Sequence, residues 1–285
     1  MAETKCLIAG LPSSGKSTYI GALWYNLRNL KSVLDMKLID SPENLPEDIT
    51  HLNGLKDNWV KIKKIDRTNS NAADNVQLNL VRKDSNEVLR LNIPDFLGET
   101  FQGIIDLQND EKLQLWCKES ESLLYMMNEI SPGQFEDDNH HDPDETNDEV
   151  YTLPELQSKD MAPAAQNIMI LKYLLSQKVF RKVVIALTWW DEVTQNGKII
   201  VDPDQHLQST SPALYNFIKY RIPSAIIVGI SGQGRKYLEV NGENMEAEKA
   251  FVDEMVKMTK EGKRAFVGIG NQISYDLSLP IDLLI

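Results

Sequence analysis

The chain has 285 residues, 42% hydrophobic and 25% charged, the composition of an ordinary globular protein with enough length for a substantial core. Its 30 Lys and Arg against 42 Asp and Glu leave a net charge of −12, which argues against general binding to nucleic acid or to an anionic membrane surface. Cys6 and Cys117 do not make a disulfide framework, and no apolar run resembles a signal peptide or a membrane span, so a soluble cytoplasmic chain is expected.

The first element is an apolar strand, Cys6-Leu-Ile-Ala9, and it runs into Gly10-Leu-Pro-Ser13-Ser14-Gly15-Lys16-Ser17-Thr18. An amphipathic stretch from Tyr19 to Leu30 follows, with Ile20, Leu23, Trp24, Leu27 and Leu30 at helical spacing. Strand, glycine-bounded loop and helix form the context of a phosphate-binding loop. The glycines let the backbone curl so that N–H groups face phosphate oxygens, and the helix N-terminus adds partial positive charge. Lys16 would reach the β- and γ-phosphates, and the Ser17 hydroxyl would bind Mg²⁺. Trp24 falls on the core stripe.

Residues 31–75 are polar and carry Pro42 and Pro46, with short helices expected over 48–55 and 58–65. Alternation returns at Val76, Leu78 and Leu80 and again at Leu89, Leu91 and Ile93, on either side of Lys83-Asp-Ser-Asn86, which predicts an antiparallel hairpin. A helix is expected over 100–117, broken near Asn109, then a strand at 122–128 buried on both faces. Residues 131–149 hold eight acids and little apolar area, and read as a mobile acidic insertion. Its His140-His141-Asp142 reads as solvated rather than metal-binding. Helices at 164–175, 211–220 and 243–261 then alternate with strands at 183–187 and 224–230, and the tail 276–285 is apolar enough to dock. The pattern predicts one α/β domain over residues 1–285. A three-layer sandwich is expected, its mainly parallel sheet bearing one antiparallel hairpin at its edge.

Ligands on such sheets collect at the carboxyl ends of the strands. Four ends here carry suitable residues. Asp95-x-x-Gly98 ends the hairpin, where a carboxylate can serve Mg²⁺ and the Gly98 N–H can approach a γ-phosphate. Thr188-x-x-Asp191 ends a later strand, and an aspartate there matches the N1–H and 2-amino group of guanine, an edge that adenine lacks. Trp189 is placed to lie against the purine face. Ser231-Gly232-Gln233 ends the next strand and offers backbone N–H groups to a base carbonyl.

Together these residues resemble the Ras-like GTPases of the translation-factor-related P-loop class, over roughly residues 5–235. Gly10–Ser17 matches their phosphate loop without departure, and Asp95–Gly98 matches their Mg²⁺ and γ-phosphate motif. Thr188–Asp191 and Ser231–Gln233 match the two guanine motifs more loosely. Three departures stand out. Thr188 and Trp189 replace the usual Asn and Lys, Glu99 replaces the water-orienting Gln, and the gap from Lys16 to Asp95 is wide. Arg67-Thr68, Asp95-Phe-Leu-Gly98-Glu99 and Thr188-Trp-Trp-Asp191 look more specifically like the bacterial double-GTPase group, which is associated with conflict or anti-phage systems.

The resemblance implies GTP/GDP and Mg²⁺ as ligands. Thr68, in preference to Thr50, would complete the Mg²⁺ shell, and Arg67 would act as an arginine finger in cis. The expected function is a slow GTPase switch that a partner protein reads through residues 50–75 and 95–105. An ATP-using P-loop enzyme and a nucleotide-stabilised binding module without turnover are the two alternatives.

Overall fold

In the computed structural model, described over residues 3–30, 32–36, 49–63, 75–85, 88–94, 98–106, 110–133, 158–194, 198–236 and 245–285, one sheet gathers strands from Glu3 to Ser274. The strands are β1 (Glu3–Ala9), β2 (Leu34–Met36), β3 (Asn75–Arg82), β4 (Val88–Pro94), β5 (Ser122–Met127), β6 (Lys182–Thr188), β7 (Ile226–Ser231), β8 (Phe266–Ile269) and β9 (Gln272–Ser274). Their order is β2-β3-β4-β1-β5-β6-β7-β8-β9. The run β4-β1-β5-β6-β7 is parallel, and antiparallel strands flank it on both sides.

The central strands read as continuous apolar runs because both of their faces are covered. Cys6, Ile8, Leu124, Met126, Val184, Ala186, Val228 and Ile230 form one core. It packs on α1 (Lys16–Asn29), α2 (Ile49–Val60) and the C-terminal tail. Their neighbours in sequence, Leu7, Ala9, Leu123, Tyr125, Met127, Val183, Ile185 and Leu187, point the other way. They meet α3 (Gly98–Ile105), α4 (Glu111–Glu119), α5 (Pro163–Gln177), α6 (Trp190–Val193), α7 (Pro203–Thr210) and α8 (Pro212–Arg221), and α9 (Met245–Lys260) follows the last parallel strand. The result is the expected three layers.

The break near Asn109 is real: α3 and α4 are separate, and the Asp110 side chain caps α4 by accepting from the Leu113 N–H at 2.9 Å. Residues 49–60 differ from expectation. One helix, α2, stands where two short ones were expected, because Leu52, Leu55 and Trp59 make a single buried stripe against α1. The edge strands β8 and β9 and helix α7 were not anticipated. Gly270-Asn271 is the two-residue turn between β8 and β9, with Gly270 at φ 54°.

The C-terminal tail packs against the sheet. Leu277, Ile281 and Leu284 are buried in the α1-side core, around the short helix α10 (Leu279–Asp282). Tyr19 donates to Leu277 O at 2.8 Å, and Ser122 donates to Leu284 O at 2.9 Å. Ser122 is the first residue of β5, so the Leu284 contact lies at the amino end of that strand.

Candidate nucleotide site

Strand β1 sits where the chain order of the sheet reverses, with β4 on one side and β5 on the other. Loops leaving neighbouring strands diverge at such a point and open a crevice. The loop from Gly10 to Gly15 fills it. Ser13 and Gly15 are left-handed, at φ 61° and 81°, and Gly10 lies at φ 154°. A side chain at Gly10 would place Cβ 2.2 Å from Met126 O, so that position also requires glycine for space.

Helix α1 starts without a side-chain cap and without an acid in its first turn; Gly15 stands at the cap position. Tyr19 N–H makes the first bond back, to Gly15 O at 2.9 Å, which leaves the N–H groups before it facing the loop. By contrast, α7 closes its own start with Asp202, which accepts from the Asp204 N–H at 2.7 Å. The first turn of α1 keeps its donors and its partial positive charge for a ligand.

The Lys16 side chain folds back over the loop. Its Nζ donates to Gly10 O at 2.7 Å, to Leu11 O at 2.8 Å and to Ser14 Oγ at 3.1 Å. It also lies 5.8 Å from the centre of the Phe101 ring, which brings the first turns of α3 beside the loop. The Ser17 hydroxyl, next to Lys16, makes no hydrogen bond among the described residues. An ammonium held over a curled backbone, with a hydroxyl beside it, is a donor set suited to phosphate and a hard divalent cation.

Two more strand ends meet this loop. A Cβ on Gly15 would lie 3.5 Å from Thr188 Cβ, and one on Gly232 would lie 3.3 Å from Thr18 Cγ2. Thr188 itself faces inward and donates to Met127 O at 3.2 Å. Beyond it, Trp189 is left-handed at φ 56° and half exposed, while Trp190 is buried in the core. Asp191 accepts from the Ser231 hydroxyl at 2.6 Å, and Ser231 Oγ accepts in turn from the Gly234 N–H at 2.8 Å. The ends of β1, β6 and β7 are thereby brought together.

Arg67, Thr68 and Asp95 lie outside the described residues, as does most of the acidic stretch at 131–149 with its His140-His141-Asp142. Gly98 opens α3 and Glu99 is its second residue, with the Glu99 side chain also outside the description. Thr50 is an exposed residue in the first turn of α2. Sequence reasoning missed two residues that bear on the site, Trp59 and Arg264. A tryptophan and an arginine some 200 positions apart carry no local signal of their meeting.

The sequence matches the family model described as Double-GTPase 1 over residues 7–284. The chain belongs to this double-GTPase family. Membership supports a guanine nucleotide as a ligand of the chain. Comparison with curated proteins finds no match. Among solved structures, the double-GTPase chain is similar to the S. cerevisiae Ski7 GTPase-like domain bound to GTP. That pair shares 17% identity at a TM-score of 0.41, covering 89% of this chain and 50% of that one. It is similar to the bacterial selenocysteine-specific elongation factor EF-Sec at 14% identity and a TM-score of 0.37. That match covers 90% of this chain but only 29% of the elongation factor. The Trypanosoma brucei Arl6 small GTPase, with a bound GppNp analogue, shares 8% identity at a TM-score of 0.34, covering 90% and 98%. Among the described residues, no helix is long and apolar enough to cross a membrane.

Proposed function

We propose that this chain binds GTP with Mg²⁺, hydrolyses it slowly, and acts as a switch that a partner protein reads. The observation that carries the reading is the junction of three strand ends at one loop. Gly15 lies against Thr188, Gly232 lies against Thr18, and the Ser231 hydroxyl bonds Asp191. These contacts support the reading that the phosphate-binding loop and a carboxylate of the kind that reads guanine serve one ligand.

On this reading Lys16 reaches the β- and γ-phosphate oxygens. The N–H groups of the loop and of the first turn of α1 neutralise further charge. Ser13, Ser14 and Thr18 line that turn. Ser17, with Asp95 and Thr68, would hold Mg²⁺, which when bound neutralises charge between the two outer phosphates. Asp191 accepts from the guanine edge, Trp189 covers the purine face, and the 231–233 backbone donates to the base carbonyl.

Gly98 donates to the γ-phosphate, Glu99 or the backbone near it orients water, and Arg67 adds positive charge. Turnover is slow because Glu99 stands where a neutral glutamine is usual. Switching acts through residues 50–75 and 95–105. A role in bacterial defence follows from the family resemblance alone.

Thermal melts with GTP, GDP, ATP and ADP, with and without Mg²⁺, test the reading. Ligand at about 100 times Kd stabilises by about 2.7 kcal/mol, a shift that a melt resolves easily. Stabilisation by GTP and GDP, strengthened by Mg²⁺, is expected. Stabilisation by ATP and ADP instead would replace the reading with an ATP-using enzyme.

A further inference from the structure

The loop that follows β7 is clamped by two buried side chains. Trp59, at the end of α2, donates its indole N–H to Gly232 O at 2.6 Å. Arg264, just before β8, donates Nη1 to Trp59 O at 2.6 Å and Nε to Gln233 O at 3.3 Å. Its guanidinium lies 4.2 Å from the centre of the Trp59 ring, a cation–π stack with both residues nearly inaccessible to water. At Gly234 the chain passes so close that a Cβ would come within 2.1 Å of Arg264 O.

We infer that Trp59 and Arg264 are positioning residues for nucleobase recognition. They hold the 231–234 loop, and through Ser231 the Asp191 carboxylate, in one orientation. The inference rests on the reading of Asp191 and this loop as the base-recognising pair.

In a trans peptide the C=O and the following N–H point to opposite sides of the chain. A Gly232 carbonyl fixed on Trp59 therefore turns the Gln233 N–H away from α2. Neither the Gly232 nor the Gln233 N–H has an acceptor among the described residues. The same loop supplies the Gly234 N–H that bonds Ser231 Oγ, the hydroxyl that orients Asp191. One clamp thus governs both halves of base reading: the backbone donors and the carboxylate.

Trp59 also lies on the segment between α1 and the β3–β4 hairpin, the stretch expected to sense the nucleotide. Its ring packs 5.1 Å from Tyr25 of α1, so α2 contacts the phosphate helix and the base loop at once.

The test measures dissociation constants for GDP, XDP and ADP with W59F, which keeps a ring and deletes the donor, and with R264K, which keeps the charge and loses the planar fork. Loss of one positioning hydrogen bond should weaken GDP binding about three- to tenfold and leave ADP binding unchanged, so the GDP-to-ADP ratio falls. Apo melting temperatures report folding, and R264K serves if W59F is too unstable to assay. D191N is run beside them. If D191N shifts preference from GDP to XDP while W59F and R264K keep the wild-type ratio, or weaken GDP and ADP equally, the positioning role is overturned and base reading survives. If D191N leaves GDP affinity unchanged, the reading beneath this inference fails, and the inference with it.

Discussion

The Ser231 hydroxyl donates to Asp191 Oδ1 at 2.6 Å and so ties the end of β7 to the turn after β6. Two loops are thereby held together. On the proposed reading, a carboxylate that accepts two hydrogen bonds from a base gains from having one oxygen already oriented. S231A removes that bond and leaves the Gly234 N–H without its acceptor. The expected result is GDP affinity reduced about three- to tenfold with the fold intact. D191N should be more severe, replacing two acceptors by a donor and an acceptor and moving preference from GDP toward XDP. Titration of each variant with fluorescent GDP and XDP checks both; unchanged GDP affinity in D191N would remove base recognition from this loop.

Lys16 Nζ donates to three acceptors of its own loop, at 2.7 to 3.1 Å. The ammonium braces the loop, and on the proposed reading it also meets phosphate. K16A removes both roles. Stabilisation by GTP and GDP should vanish from the thermal melt, and the apo protein should lose about 1 kcal/mol because the loop carbonyls lose their shared donor. A K16A protein that still melts higher with GTP would place the phosphates elsewhere.

The parts of this site visible in the sequence are those built from consecutive residues. Gly10–Ser17 announces itself because backbone curl, cation and hydroxyl must follow one another. The parallel core was legible because strands buried on both faces read as unbroken apolar runs, as in Leu123–Met127. Strand β2 was not, since three residues pinned by Val33 N–H to Asp276 and Leu34 N–H to Ser278 depend on partners more than 240 positions away. The β8–β9 hairpin did carry a signal, Gly270-Asn271 between two alternating runs. The clamp of Trp59 and Arg264 on Gly232 carried none, because a buried indole in one helix looks the same whichever backbone it meets.

Both thiols are sensitive reporters of the fold. Burial pushes the Cys6 thiol up to about 12, against a small opposing effect of the Leu124 backbone, and burial likewise pushes Cys117 up to about 12. In the unfolded chain they ionise near 9. Between these values the folded protein keeps protons that the unfolded chain has released, so stability is full below pH 9 and falls as pH rises toward 12. Tyr19 and Tyr125, raised by burial, act in the same direction at higher pH. Urea midpoints measured from pH 8 to 10.5 should fall. The slope should be shallower in C117A, and a slope identical to wild type would mean that Cys117 ionises in the folded state. Iodoacetamide at pH 8 should label both cysteines only after urea is added.

The C-terminal tail is fastened to the outer hairpin by a two-pronged pair. Arg82 Nε donates to Asp282 Oδ1 at 2.7 Å and Nη2 to Oδ2 at 2.9 Å, with the Asp282 side chain only 12% exposed. Paired forks of this kind are among the stronger ionic contacts, and removing one side leaves a poorly hydrated charge behind. Asp84, 3.6 Å from the same Arg82 Nε, is 78% exposed and cannot replace the contact. R82A should therefore cost about 1–3 kcal/mol in urea unfolding, more than the usual surface pair. The double variant R82A/D282A should recover part of that loss, since it removes the stranded carboxylate along with its partner. A double variant no more stable than R82A would mean that Asp282 is hydrated once freed. In either variant the tail would still be held by Leu277, Ile281 and Leu284 in the α1-side core, and by the bonds of Leu277 O to Tyr19 and Leu284 O to Ser122.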